Sequence, residues 1–268
     1  MQRGLSIAMG GLVALWTGAA VAQDSVVAQT VGHGKVDYSN KTVTATGSGA
    51  PSLKAANVAV ARLGAERAAK LDALRNILEA VKGVRIASNK TAGQAMEEKP
   101  EVAAKVEGIV KSFKVLDTKY YSDGGVDVVV QVPLDGVLTE ALVSETATSS
   151  VKAAAADPSG TTGIIVNAKG LGALPALAPR LINDAGKDIY SAALVTREAV
   201  TKHGIAGYTT SLDTAMKDAR VADKPLIVRA TKLSEKGGSD LVLAAEDVTK
   251  VQKLAGALAD ARVIIVTD

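Results

Sequence analysis

"ATGSGAPSLKAANVAVARLGAERAAKLDALRNILEAVKGVRI", residues 45–86, decides how the chain is read. A glycine pair, Gly47 and Gly49, runs into a long alanine-rich segment. Either the glycines form a loop that cradles phosphate, or they form a structural turn ahead of a packing helix. A dinucleotide loop needs G-x-G-x-x-G, and counted from Gly47 the third glycine position holds Ser52. No lysine stands at P-loop spacing, and no acidic residue closes a second parallel strand as ribose recognition requires. The pair is therefore read as a strand-to-helix turn that needs room for positive φ.

The segment beyond the turn has helical periodicity, with Ser52 as the expected N-cap. At about 100° per residue, Val60, Leu63, Leu71, Leu74, Ile77, Leu78 and Val81 share roughly one third of the circle. That predicts an amphipathic packing helix buried along this stripe. Arg62, Glu66 and Lys70, then Arg75 and Glu79, lie elsewhere at the i, i+4 spacing of a solvated, ion-paired surface. Gly83 is expected to end the helix. Ala61, Gly64, Ala65, Ala68, Ala69 and Ala73 are small enough to let a sheet or another helix approach closely. Arg67 falls in the middle of the apolar stripe. It either snorkels to an edge, or pairs with a buried carboxylate or carbonyl, or meets a neighbouring subunit. The expectation is a structural or interface arginine.

Upstream, Arg3, the apolar stretch Leu5 to Trp16 and "AVAQD" have the pattern of a secretory signal peptide cleaved after Ala22. Removal of residues 1–22 leaves 246 of the 268, enough for one large domain or two small ones. Only Arg3 among the charged residues goes with them, so the net charge falls from +3 to about +2, too little to imply nucleic acid or anionic lipid as partner. Residues 23–41 are polar and are expected to form a flexible lead. No later segment carries 18 consecutive apolar residues, so no membrane span is expected in the mature chain.

Downstream, a polar stretch over 88–105 with a short helix in "EEKPEVAAKVEG" precedes two strands around Asp123-Gly124-Gly125. The first module, residues 42–143, is thus a long helix on a small antiparallel sheet. Residues 144–160 read as a linker of Ser, Thr, Ala, Pro and Gly. The second module, residues 161–268, mixes strands and helices. It contains a hairpin through Asp184-Ala185-Gly186, a short helix in "TSLDTAMKDARVADK" and the strands "PLIVRATK", "SDLVL" and "ARVIIVTD". The fold class is α+β, in two small modules.

The catalytic inventory is thin. There is no cysteine, which excludes thiol catalysis, a Cys-based zinc site and a lipid-modified N-terminal cysteine. His33 and His203, the only histidines, lack metal-ligand spacing. Ser149 and Lys152 satisfy S-x-x-K, but neither SDN nor KTG follows, and chance explains the match. Gly170 and Gly172 form another partial glycine motif, read as a loop. Glu97-Glu98, Asp184 with Asp188, and Glu246-Asp247 are close in sequence only, and the last pair suits a helix N-terminus. No catalytic residue, cofactor or metal is expected. One Phe and five Tyr beyond Trp16 are too few for a stacking platform.

The strand ending in Gly47-x-Gly49, then Ala61-Arg62, Ala65, Ala68-Ala69, Asp72-Ala73, Leu78 and Gly83, resembles the lipoprotein-20 family of bacterial envelope proteins. The likeness runs to about residue 142. It implies an α+β module in the periplasm or at the outer membrane, with some relatives similar to proteins that build rings or discs around the flagellar motor. It brings no enzymatic activity, and the second module looks like the C-terminal extension of longer members. Relatives are often lipidated at an N-terminal cysteine, which this chain lacks, so association with the membrane would need a protein partner. The expectation is a non-enzymatic periplasmic protein that assembles with itself, or with an envelope or flagellar partner. The alternative is a module binding a small ligand or glycan between its two domains.

Overall fold

The computed structural model describes residues 26–143 and 160–268. The signal segment with Ala22, all but the last residue of the expected linker, and the Ser149/Lys152 pair lie outside the described residues. The first module runs β1 (Ala28–Val31), β2 (Gly34–Asp37), β3 (Thr42–Gly49), α1 (Val58–Lys82), β4 (Arg85–Ala87) and β5 (Lys90–Thr91). It continues with α2 (Ala92–Glu98), α3 (Pro100–Lys111), β6 (Lys114–Tyr120), β7 (Val126–Pro133) and α4 (Val137–Val143). Its main sheet is antiparallel, in the order β1-β2-β3-β7-β6. In β7 the residues Val126, Val128, Val130 and Val132 alternate inward under α1, the period-2 pattern of a half-buried strand.

Several expectations need correction here. The lead is not flexible over residues 28–37: it forms the β1–β2 hairpin, held because Val36 and Tyr38 are buried. The stretch expected to hold one short helix holds two, broken at Lys99 where Pro100 begins α3. The strand after α1, β4, does not join the main sheet. It pairs with β5 and reaches the second module, where Leu177 and Ala178 donate backbone N–H bonds to Arg85 O (2.9 Å) and Ile86 O (2.8 Å).

The second module runs β8 (Gly163–Asn167), β9 (Leu181–Ile182), β10 (Asp188–Tyr190), α5 (Arg197–His203), β11 (Gly207–Thr209) and α6 (Leu212–Lys217). It ends with β12 (Pro225–Leu233), β13 (Leu241–Leu243), α7 (Ala245–Gln252), α8 (Ala255–Ala259) and β14 (Val263–Val266). The strands form one mixed sheet in the order β10-β9-β13-β12-β8-β14-β11. β8 and β14, "GIIVN" and "VIIV", are parallel neighbours buried on both faces, which is why they read as unbroken apolar runs. The β9–β10 hairpin turns at Asn183 to Gly186, as the sequence predicts.

The two modules share one core, which extends without a gap from Val36 and Val43 to Tyr208 and Ile265. Polar contacts cross the boundary as well. Ser39 Oγ donates to Tyr208 O at 2.8 Å, and the Tyr38 ring meets the Tyr208 ring edge-on at 6.0 Å. Lys41 Nζ donates to His203 O at 2.6 Å. Burial, and next the charge of Arg220, hold the Lys41 ammonium down to about 8, against partial support from Asp135 and Asp218. The sign follows from linkage: a lysine with a lower pKa folded than unfolded opposes folding while charged. That penalty is full below pH 8 and fades as pH rises towards the ordinary lysine range. Urea denaturation is therefore expected to show stability rising from pH about 8 to about 10. Lys41→Met is expected to flatten that rise.

Candidate functional site

α1 is where the sequence places most of its signals, and the structure redistributes them. The helix begins later than expected, with Asn57 rather than Ser52 as N-cap: Asn57 Oδ1 accepts from Val60 N at 2.9 Å. The face it lays on the sheet is the alanine face. Ala65, Ala69, Ala73, Ile77, Ala80 and Val81 are buried, and Asn76 with them.

Gly47 and Gly49 explain that choice. They are not a turn and neither has positive φ; both sit inside β3 under the helix. A Cβ on Gly47 would lie 2.0 Å from Ala73 N, and one on Gly49 would lie 2.0 Å from Ala65 O. Glycine on the strand and alanine on the helix let the two backbones nearly touch. The polar residues of α1 finish the job. β2 pairs with β3 only as far as Ala45, and beyond it Asn76 Nδ2 donates to Thr46 O (2.8 Å) while Asp72 Oδ2 accepts from Ser48 N (3.0 Å). Sequence reasoning named Asp72 only as a point of family likeness and did not single out Asn76; their signal was two polar residues four apart on the small-residue face. Gly83 ends α1 as expected, with an ordinary φ of −75°. A Cβ there would come 2.5 Å from Val31 Cγ1 of β1.

The apolar stripe expected to be core divides along the helix. Its C-terminal half packs inward as expected: Ile77 and Val81 are buried, and Leu74 and Leu78 are partly buried against the core. Its N-terminal half is open: Val60, Leu63 and Leu71 are 49%, 55% and 68% exposed, with Arg67 exposed among them. Arg67 therefore does not snorkel out of a core, and it makes no ion pair among the described residues. Beside the ridge, Gly64 leaves open space where a Cβ would stand, and Ala61 and Ala68 continue that shallow strip on the same side. On the opposite flank, Glu66 accepts from Lys70 (2.7 Å) and from Tyr120 Oη of β6 (3.1 Å), and Arg62 lies 5.6 Å over the Tyr120 ring. The Lys70 bond, then the Tyr120 bond, hold the Glu66 carboxyl below its usual range, so this flank is charged at neutral pH. β6 is an edge strand, with Val115, Leu116 and Tyr120 exposed.

The remaining candidates fall into place singly. His33 is exposed in the β1–β2 turn, and His203 closes α5 against the first module. Gly170 and Gly172 do form a loop, both at positive φ, and their N–H groups donate to the Asp268 carboxylate at 2.8 and 3.3 Å. Asp184 pairs with Lys232 and Asp188 with Arg180, while Glu246 and Asp247 open α7. Among the described residues no three His, Asp or Glu side chains gather as a metal would need. No helix among them is long and apolar enough to cross a membrane.

Residues 163–268, 106 of the 268, match the family model described as Treponema pallidum Tp0624, second domain. The match spans the strands and helices of the second module and stops short of α1. No curated protein matches the chain.

Proposed function

We propose that this is a non-enzymatic, exported envelope protein that works by assembly, and that the outer face of α1 is where one copy meets another. The observation that carries the reading is the open half of the leucine stripe. One stripe on one helix is covered by protein at its C-terminal end and bare at its N-terminal end. A ridge of Val60, Leu63 and Leu71 beside a strip of Ala61, Gly64 and Ala68 is self-complementary, because an antiparallel copy sets ridge into strip. Export, a periplasmic location and a flagellar link rest on the N-terminal sequence pattern and on the likeness to lipoprotein-20 proteins. An envelope or flagellar protein on the same face is the other outcome the experiment distinguishes.

The energetics suit a concentration-dependent association. Covering the exposed parts of Val60, Leu63 and Leu71 on two copies contributes about 1–2 kcal/mol per side chain. That total is comparable to the association cost of about 4–15 kcal/mol. Light scattering after size exclusion, over a range of concentrations, is expected to give a discrete multiple of the monomer mass. Leu63→Glu combined with Leu71→Glu is expected to return the chain to monomer with its circular dichroism unchanged. Arg67→Ala is expected to shift the association while moving folding stability by less than about 0.5 kcal/mol. A clean monomer at the highest concentration reached would overturn self-assembly, and capture of an envelope partner by that monomer would reassign the face.

A further inference from the structure

A cleft of about 530 Å³ opens where the turn after β2 meets the second module, with Lys41, Lys202, His203, Arg220 and Arg262 among its lining residues. Lys41 and Arg220 enter it in an unusual way. Lys41 Nζ and Arg220 Nη2 both donate to one acceptor, the carbonyl oxygen of His203. Arg220 Nη1 reaches Ala261 O at 3.1 Å and Val263 O at 3.4 Å, so the guanidinium is fixed in place by backbone. Neither cation forms an ion pair among the described residues; Asp218, which lines the same cleft, supports both charges without bonding either side chain. Lys41 is also held at a positive φ of 53°, a conformation that side-chain-bearing residues rarely adopt and that tends to occur at functional sites.

We propose that this cleft binds a small polar molecule through an oxyanion, phosphate or carboxylate, gripped by Lys41 and Arg220. A carbonyl dipole is a weak counterweight for two full positive charges. An oxyanion is a strong one, and charge-assisted bonds to it are about twice as strong as neutral ones. Donors remain to make those bonds: Lys41 uses one of its three N–H groups here, and Arg220 keeps one on Nη2 and the one on Nε. The cavity suits a small molecule, since ligand pockets span about 300–1,000 Å³. Glu198, Asp218 and Asp260 also line it. They would repel a polyanion while accepting hydroxyl or amine donors from the body of a small ligand. Burial acts in the same direction, because it depresses the ammonium of Lys41 and the guanidinium of Arg220 alike, and a bound anion relieves both. The proposal is independent of assembly through α1.

The test uses the purified chain, titrated with inorganic phosphate and, separately, with succinate, at ionic strength held constant with sodium chloride. Isothermal titration and thermal denaturation are the readouts. A saturable rise in Tm of a few degrees with at least one anion is expected, and which anion acts decides between phosphate and carboxylate. Lys41→Met is expected to weaken that binding tenfold or more while leaving the chain folded. Arg220 is a poorer choice of variant because it also ties three backbone carbonyls. If neither anion acts beyond chloride, or if Lys41→Met binds as the parent does, the proposal is overturned. The parent titration decides alone should that variant not fold.

Discussion

Gly47→Ala is expected to lower the melting temperature by about 10 °C, one of the largest single-methyl effects available in this chain. The added Cβ would stand 2.0 Å from Ala73 N, 2.4 Å from Ala69 O and 2.5 Å from Ala73 Cα. All three are helix backbone, so no side chain can rotate away. α1 must lift off β3, and in lifting it loosens Ala65, Ala69 and Ala73 and stretches the Asn76–Thr46 and Asp72–Ser48 bonds. Ordinary overpacking costs about 1–3 kcal/mol, and a clash with a rigid backbone belongs at or above the top of that range. Each kcal/mol moves Tm by about 2–4 °C at this size. Gly108→Ala supplies the control. It sits in α3 with nothing within 4 Å of the added carbon, and replacing helical glycine with alanine there should stabilise by about 0.5–1 kcal/mol. Thermal melts of the two variants would therefore move in opposite directions. A Gly47→Ala melt at the parent temperature would show that the helix and strand do not meet as described.

The same contact accounts for the placement of the leucines. Where α1 crosses Gly47 and Gly49 there is room only for Ala65, Ala69 and Ala73 on the inner face, and larger inner residues, Ile77 and Val81, come only beyond that crossing. Leu74 and Leu78 find cover against the core, and Leu63 and Leu71 do not. The open stripe and the glycine pair are thus two consequences of one close approach. That is why the assembly variants change the outer face without touching the inner one.

Much of the fold was legible because its strands carry clean local patterns. The alternating valines of β7, the unbroken runs of β8 and β14, and the turns at Asp123-Gly124-Gly125 and Asp184-Ala185-Gly186 each declare themselves within a few residues. The N-terminal half of the α1 face was misread, at Val60, Leu63 and Leu71, because periodicity reports where large apolar residues lie, not how near the partner backbone comes. Only the glycines of β3, read together with the alanines of α1, could have reversed the assignment. The β1–β2 hairpin escaped notice because little beyond Val36 and the adjoining Tyr38 marks its inner side. α5 and β11 are too short, at seven and three residues, to show a period. The cleft was illegible for a different reason. Lys41 lies 162 positions from His203 and the two are joined by tertiary packing alone, so no spacing rule connects them.

Tyr208 tests that packing most directly. Its hydroxyl accepts from Ala176 N at 3.1 Å and donates to Ala176 O at 2.9 Å, in a site where both residues are buried. Burial drives its phenol far above the ordinary range, so it stays neutral at any pH the fold survives. Tyr208→Phe keeps the ring but strands one backbone donor and one acceptor away from water, which costs about 1–3 kcal/mol. Tyr208→Ala adds the loss of the ring against Tyr38 and a cavity in the shared core, raising the cost to about 3–5 kcal/mol. Because the ring stands between the modules, the alanine variant is also expected to split one unfolding transition into two, visible as separate calorimetric peaks. Tyr121→Phe is the matched control, since it removes an exposed hydroxyl bonded to Asp127 and should leave the melt unchanged. If Tyr208→Ala melted at the parent temperature, in one transition, then Tyr38 and Tyr208 would not be where the two modules are held together.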